Sequence, residues 1–313
     1  MNKLTIGNIR KFIFKLRYMG KGHDSIHKYY IVFRHDDKSG LGSYIITNLG
    51  QIKYAVDNGM IPVVDMQHFA NVYLEESEYC RINAWDFYFD QEKVVGKGLM
   101  EVYKEGDYSL SDGRVKSPYP DDAMEFLTDD KARQYWHELF KRYIPLQNDI
   151  SRSVDEFVSG KFIPIFEKGE KIAGVCLRGT DYVALKPKKH PIQPTTKEAI
   201  DKINELREKW GFDRIFLVTE DSTIQSAIIE EFGDRVIVPD SYKYDYSGNG
   251  YIGNVTADRD RDRYLHGKEY LVSLLILGKC QFFIAGRTSG TVLTHVMAEG
   301  FEEEYYFDLG RYS

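Results

Sequence analysis

The sequence predicts an α/β fold of two domains, each built on a parallel sheet with helices on both faces. Short apolar runs of strand length alternate with amphipathic segments of helix length, the pattern of repeated βαβ units. A chain of 313 residues also has room for two separate cores at about 100 to 200 residues per domain. With 42% hydrophobic and 29% charged residues and no apolar run long enough to cross a bilayer, the composition argues against a disordered or membrane-spanning chain.

Residues 1–22 read as a basic amphipathic helix. At 100° per residue Ile6, Ile9, Phe12, Ile13, Leu16 and Met19 share one side, while Lys3, Arg10, Lys11, Lys15, Arg17 and Lys21 fall on the other; Phe14 and Tyr18 are exceptions. Two readings stand: a helix lying on an anionic membrane surface, or one packed on the protein body with its cations in water.

An N-terminal α/β domain is expected over 23–165. Its βαβ unit runs from strand 29–33 through the glycine turn Lys38–Ser43 and a helix to about Asn58, with Gly59 as its stop, to strand 61–64. The aromatic segment Asn83–Asp90 reads as loop and short strand, and 121–162 as helical. A C-terminal α/β domain is expected over 166–313. Its strands are 172–177, 214–218, 235–238, 281–285 and about 304–307, with helices at 196–210, after Ser222, at 267–278 and at 291–299. Two such domains imply a cleft between them.

The net charge of −6 is unevenly placed: the first 23 residues carry six cations and no acid, leaving −12 on the rest. An acidic body argues against nucleic-acid binding, which needs a basic face. Three cysteines, Cys80, Cys176 and Cys280, have no metal-ligand spacing. They fit a reducing cytoplasm, and the N-terminus does not read as a secretory signal.

Ligands of open α/β sheets bind beyond the carboxyl ends of strands, and phosphates favour the helix starts that follow. Arg178 directly follows an apolar strand, where its guanidinium suits a diphosphate; a surface pair with Asp181 is the bland alternative. Thr288, Ser289 and Gly290 offer hydroxyls and amides at a helix start, with simple N-capping as the alternative. Asp221 stands at another strand end, where capping alone would explain it. The turn holding Gly40 and Gly42 lacks the third glycine of a dinucleotide fingerprint, which disfavours an NAD enzyme, and Asp65 is only suggestive of a ribose contact. The run Asp258–Arg263 contains overlapping Asp-x-Asp units that could chelate a divalent cation, or form a self-paired loop. Trp85, Tyr88 and the Tyr242–Tyr251 loop could stack on sugar rings or belong to a core.

In order along the chain, these segments resemble the fucosyltransferase superfamily with a GT-B fold, which includes alpha-1,6, alpha-1,2 and protein O-fucosyltransferases. Val175–Asp181 is similar to the superfamily's strand-end arginine motif, Phe216–Ser222 to its second motif, Leu274–Gly290 to its third, and Lys38–Ser43 to its N-terminal glycine turn. The resemblance implies two Rossmann-like domains, the N-terminal one on the acceptor side and the C-terminal one binding a nucleotide sugar. It implies an inverting, metal-independent glycosyltransferase that moves fucose from GDP-fucose onto a glycan or lipid-linked oligosaccharide hydroxyl, with no cofactor, as in bacterial polysaccharide biosynthesis. Its donor-binding residues would be Gly40, Gly42, Arg178, Gly179, Asp221, Thr288, Ser289 and Gly290, with Arg178 also catalytic; by their place beside strand ends, Asp181, His35, Asp36 and Asp37 are the candidates for the proton acceptor. Cys176 stands where the superfamily usually has histidine, Gly179 where some branches have a second arginine, and Ser273 about where the alpha-1,6 enzymes carry an aspartate for the base. The expected partners are the donor, a saccharide acceptor and an anionic membrane surface, and the expected location is cytoplasmic, peripheral to the membrane. A metal-dependent transferase using another nucleotide sugar and a non-catalytic nucleotide-sugar or glycan-binding protein are the alternatives.

Overall fold

The computed structural model describes residues 9, 12–14, 16, 27–34, 38–111, 117–121, 123–244 and 252–313. Its principal elements in chain order are β1 (Tyr29–Phe33), α1 (Leu41–Asp57), β2 (Ile61–Asp65), α2 (Leu99–Glu105), β3 (Tyr108–Leu110), α3 (Asp130–Tyr143), α4 (Asn148–Phe157), β4 (Ile172–Cys176), α5 (Thr180–Leu185), α6 (Thr196–Trp210), β5 (Arg214–Val218), α7 (Ser222–Phe232), β6 (Val236–Ile237), α8 (Asp262–Leu277), β7 (Phe282–Gly286), α9 (Ser289–Met297) and β8 (Glu303–Phe307). The chain divides into two compact units. The first takes Met1–Pro120, Glu138–Asn148 and Asp260–Gly267, the second Asp121–His137, Asp149–Arg259 and Lys268–Ser313.

The first unit has a three-stranded parallel sheet in the order β2-β1-β3. Alternate residues Tyr29 and Ile31 of β1, with Val63, Tyr108 and Leu110, pack against Val95, Leu99, Val102 and Tyr103. Tyr30 points the other way, where its hydroxyl donates to Gln51 of α1 at 2.9 Å, so the central strand is buried on both faces, as parallel sheets require. The outer edge of β2 is closed by side chains. Gln91 accepts from the Val64 amide at 2.9 Å and donates to its carbonyl at 3.2 Å, and Asn83 accepts from the Met66 amide at 2.8 Å. These amides act as a substitute fourth strand and block edge pairing.

Two features differ from the sequence reading. β3 has no counterpart in the sequence reading; three residues in a polar stretch carry too little periodicity, and pairing with β1 makes the strand. The segment expected to hold a short strand forms a 3-10 turn over Ala84–Phe87 instead. Its buried residues, Ala84, Trp85, Tyr88 and Phe89, follow helical rather than alternating spacing.

The second unit has a five-stranded parallel sheet in the order β6-β5-β4-β7-β8. One face, with Ala173, Val175, Ile215, Leu217, Phe282 and Ile284, packs on Ala199, Ile203 and Leu206 of α6 and on Ile224, Ile228 and Phe232 of α7. On the opposite face Phe157 and Phe162 contact the ring of Phe216. There Gly174 permits close packing, since a Cβ would lie 3.0 Å from Leu277 Cδ2 and 3.2 Å from the Cys280 sulfur. α6 opens with a Thr195–Glu198 capping box and closes at Gly211, whose φ is 72°. α8 starts at Asp262 rather than near 267, because Gly267 lies inside the helix instead of opening it. The strand order reverses between β4 and β7, and that reversal is where such sheets bind ligands.

Candidate functional site

β4 and β7 are adjacent and in register, Cys176 opposite Ala285. The residues that follow them, Arg178 and Thr288–Gly290, therefore emerge together at the carboxyl edge of the sheet. Arg178 Nη2 donates to both oxygens of Asp181, at 2.9 and 3.0 Å. Its Nε is buried without a hydrogen bond, 3.6 Å from Glu220 Oε1, and Nη1 has no hydrogen-bond partner among the described residues. The guanidinium lies over the Tyr182 ring, 5.1 Å from its centroid. Burial opposes its charge, but Glu220 and Asp181 outweigh that effect and raise its pKa, so the cation is secure.

Asp181 is 2% exposed and also accepts from the Ile252 amide at 3.4 Å. This geometry suits an orienting counterion for Arg178. The turn after β4 is held by carboxylates from the end of β5. Glu220 accepts from the Gly179 amide at 3.1 Å and from the Thr180 hydroxyl at 2.8 Å. Asp221 divides its oxygens: Oδ1 caps α7 through the Thr223 and Ile224 amides at 2.8 and 3.1 Å, and Oδ2 accepts from the Thr180 amide at 3.1 Å. Gly179 is required here, because a Cβ would stand 2.2 Å from Asp221 Oδ2. Asp221 and Gly179 thus shape the turn, and both are already engaged by protein partners.

At the start of α9, Thr288 is the N-cap, its hydroxyl accepting from the Thr291 amide at 3.3 Å. The Ser289 and Gly290 amides lack intrahelical acceptors, as first-turn amides must, and the Ser289 hydroxyl has no hydrogen bond among the described residues. Tyr270 of α8 joins the two sides. It interacts electrostatically with Arg178, and its hydroxyl lies 3.2 Å from where a Gly290 Cβ would be. Burial pushes the Cys176 thiol up to about 12, with Glu220 adding to the shift, so it stays protonated at neutral pH.

The sequence reading did not single out Glu220, Tyr270 or Lys243. Glu220 sat beside Asp221 in a motif whose acid was assigned by resemblance. Lys243 donates to the Thr219 carbonyl at 2.6 Å, and burial lowers its pKa; nothing in its polar loop signalled this.

Other candidates lie elsewhere. Gly40 and Gly42 belong to the first unit, Gly40 as the extended N-cap of α1 and Gly42 buried in its first turn. Arg34 reaches the same turn, donating to Ser43 at 2.9 Å and Thr47 at 3.1 Å. His35, Asp36 and Asp37 lie outside the described residues. Asp65 is not available to a ribose: it is 1% exposed, bonded to His68 Nδ1 at 2.8 Å and to the Tyr103 hydroxyl at 2.7 Å. Trp85 and Tyr88 are core residues. Arg259 lies against the rings of Tyr242 and Tyr244, 4.8 and 5.6 Å from their centroids, the two rings themselves being in edge contact at 5.0 Å, while Glu269 pairs with it at 2.6 Å. In the Asp258–Arg263 run, Arg263 pairs with Glu75 at 2.6 Å. No group of three or more possible metal ligands is brought together among the described residues.

No protein-family model and no curated protein matches the sequence. Solved structures do match in fold. NodZ alpha-1,6-fucosyltransferase soaked with GDP-fucose is 15% identical, with 90% of this chain and 96% of that chain covered and a TM-score of 0.51. The same enzyme co-crystallised with GDP is 13% identical over 86% and 91%, at 0.50. Fucosyltransferase NodZ from Bradyrhizobium is 15% identical over 90% and 95%, also at 0.50. With its two parallel-sheet units, this chain shares the GT-B fold of these fucosyltransferases.

Proposed function

We propose that this protein is an inverting, metal-independent glycosyltransferase that moves fucose from GDP-fucose to a hydroxyl of a glycan or lipid-linked oligosaccharide. The observation that carries the proposal is the pairing of Arg178 with the start of α9 at the reversal of strand order in the second unit. Arg178 offers a secured positive charge with an unbonded Nη1, and Ser289 and Gly290 offer two amides and a hydroxyl. A diphosphate needs this combination, and the NodZ structures obtained with GDP and GDP-fucose support a guanine nucleotide as its carrier.

As the bond from the anomeric carbon to the diphosphate breaks, negative charge grows on the leaving oxygen. Arg178 and the α9 amides stabilise that charge more in the transition state than in the bound donor, which lowers the barrier. Asp181 and Glu220 keep the guanidinium oriented. The acceptor hydroxyl loses its proton on attack; His35 and Asp36, which follow β1, are proposed as its acceptor, since Asp181 is committed to Arg178. The enzyme requires no metal or other cofactor in this reading, and works on the cytoplasmic side of a membrane in polysaccharide assembly.

Incubation with GDP-fucose, with and without EDTA, tests the reading. Slow GDP release unaffected by the chelator is expected. Loss of release on chelation would favour a metal-dependent transferase, and tight binding without release under any acceptor would favour a binding protein.

A further inference from the structure

The N-terminal helical segment is attached by the residue that did not fit its amphipathic pattern. Residues 9, 12–14 and 16 are helical. Phe14 is 5% exposed, its ring stacked 3.5 Å from the buried imidazole of His68 and edge-on to Tyr103. Ile9, Phe12, Ile13 and Leu16 remain in water, Ile13 at 56% and Leu16 at 72% exposure. At helical spacing Phe14 lies opposite that stripe, so the side facing the protein body and the apolar side are different sides. A helix packed on the body through its apolar stripe is therefore not what the structure has.

We propose that this stripe docks the protein on an anionic lipid bilayer. Ordering four large apolar side chains in water is unfavourable unless a partner covers them. Charge complementarity selects that partner: the first 23 residues carry six cations and no acid, whereas the rest of the chain is acidic. In the sequence these cations accompany the stripe without interrupting it, the pairing of apolar surface with positive charge that an anionic headgroup layer attracts. Phe14 then anchors the body to a helix lying flat on the surface. The inference is independent of the donor site, because it rests on other residues in the other unit.

The test is sedimentation of the full chain with vesicles of phosphatidylcholine alone or mixed with phosphatidylglycerol, beside a variant carrying Phe12→Ser, Ile13→Ser and Leu16→Ser. The wild type should sediment with the anionic vesicles, much less with the neutral ones, and be released by high salt. The triple variant should partition at least about tenfold less while keeping its melting temperature, since the substituted side chains are exposed. The proposal is overturned if the wild type stays in the supernatant with anionic vesicles or if the variant sediments as well as wild type. It is also overturned if the wild type is a dimer that the substitutions dissociate, which would make a second copy the occupant.

Discussion

Arg178 Nη2 donates in a bifurcated contact to both oxygens of Asp181, at 2.9 and 3.0 Å, while Nη1 has no hydrogen-bond partner among the described residues. The pair lies at a strand end where the next strand contributes a helix start, so charge and amides meet without a basic surface. A chain of net charge −6 can hold a diphosphate by such local means.

Removing the orienting partner should weaken the donor without abolishing it. In Asp181→Asn the bidentate contact becomes a single hydrogen bond, and GDP affinity should fall about tenfold. Titration calorimetry on the folded variant reads this directly.

Glu220 should oppose the donor. It stands 3.6 Å from Arg178 Nε and brings negative charge to the place of a diphosphate. Glu220→Gln should tighten GDP binding about threefold to tenfold. A weaker complex would mean that its hold on the Gly179–Thr180 turn outweighs the repulsion.

The Asp65–His68 pair should matter for folding in the first unit. Burial raises the Asp65 pKa, but His68 and Tyr103 outweigh it and hold the carboxyl below its ordinary value. Asp65→Asn leaves buried donors without their charge and should cost about 3 kcal/mol, seen as a lower urea midpoint with an unchanged slope.

A closed hydrogen-bonded ring in the second unit predicts a pH dependence. Arg133 faces His295 Nδ1 at 3.4 Å, His295 Nε2 contacts the Tyr306 hydroxyl, and Glu304 accepts from both Tyr306 and Arg133. Burial first, then Arg133, lowers the His295 pKa to about 3. Because the unfolded histidine protonates near 6.5 and the folded one does not, its contribution is fully present above pH 6.5. It is lost as pH falls from there toward 3. Asp86 works in the opposite sense: burial pushes it up to about 7, so its contribution fades as pH rises toward that value. The His295 share is therefore read by comparing wild type with His295→Gln, whose stability should change less between pH 6.5 and 4.

The strands of the second unit were legible in the sequence because each is an apolar run bounded by turn residues, and Arg178 was legible because it ends one. β3 was not, since three residues acquire strand geometry only by pairing with β1. The roles of Asp221 and Glu220 could not be separated in sequence; they depend on which carboxylate turns toward Thr180 and which toward Gly179. The amphipathic pattern at the N-terminus was readable, but Phe14, its exception, proved to be the attachment.

Arg178 is proposed to bind the diphosphate of a guanine nucleotide sugar. Calorimetric titration of GDP into wild type and Arg178→Ala tests it most directly. Wild type should bind GDP, and the folded variant should bind at least about a hundredfold more weakly. Equal affinity in the two proteins, or no binding by wild type, would contradict it.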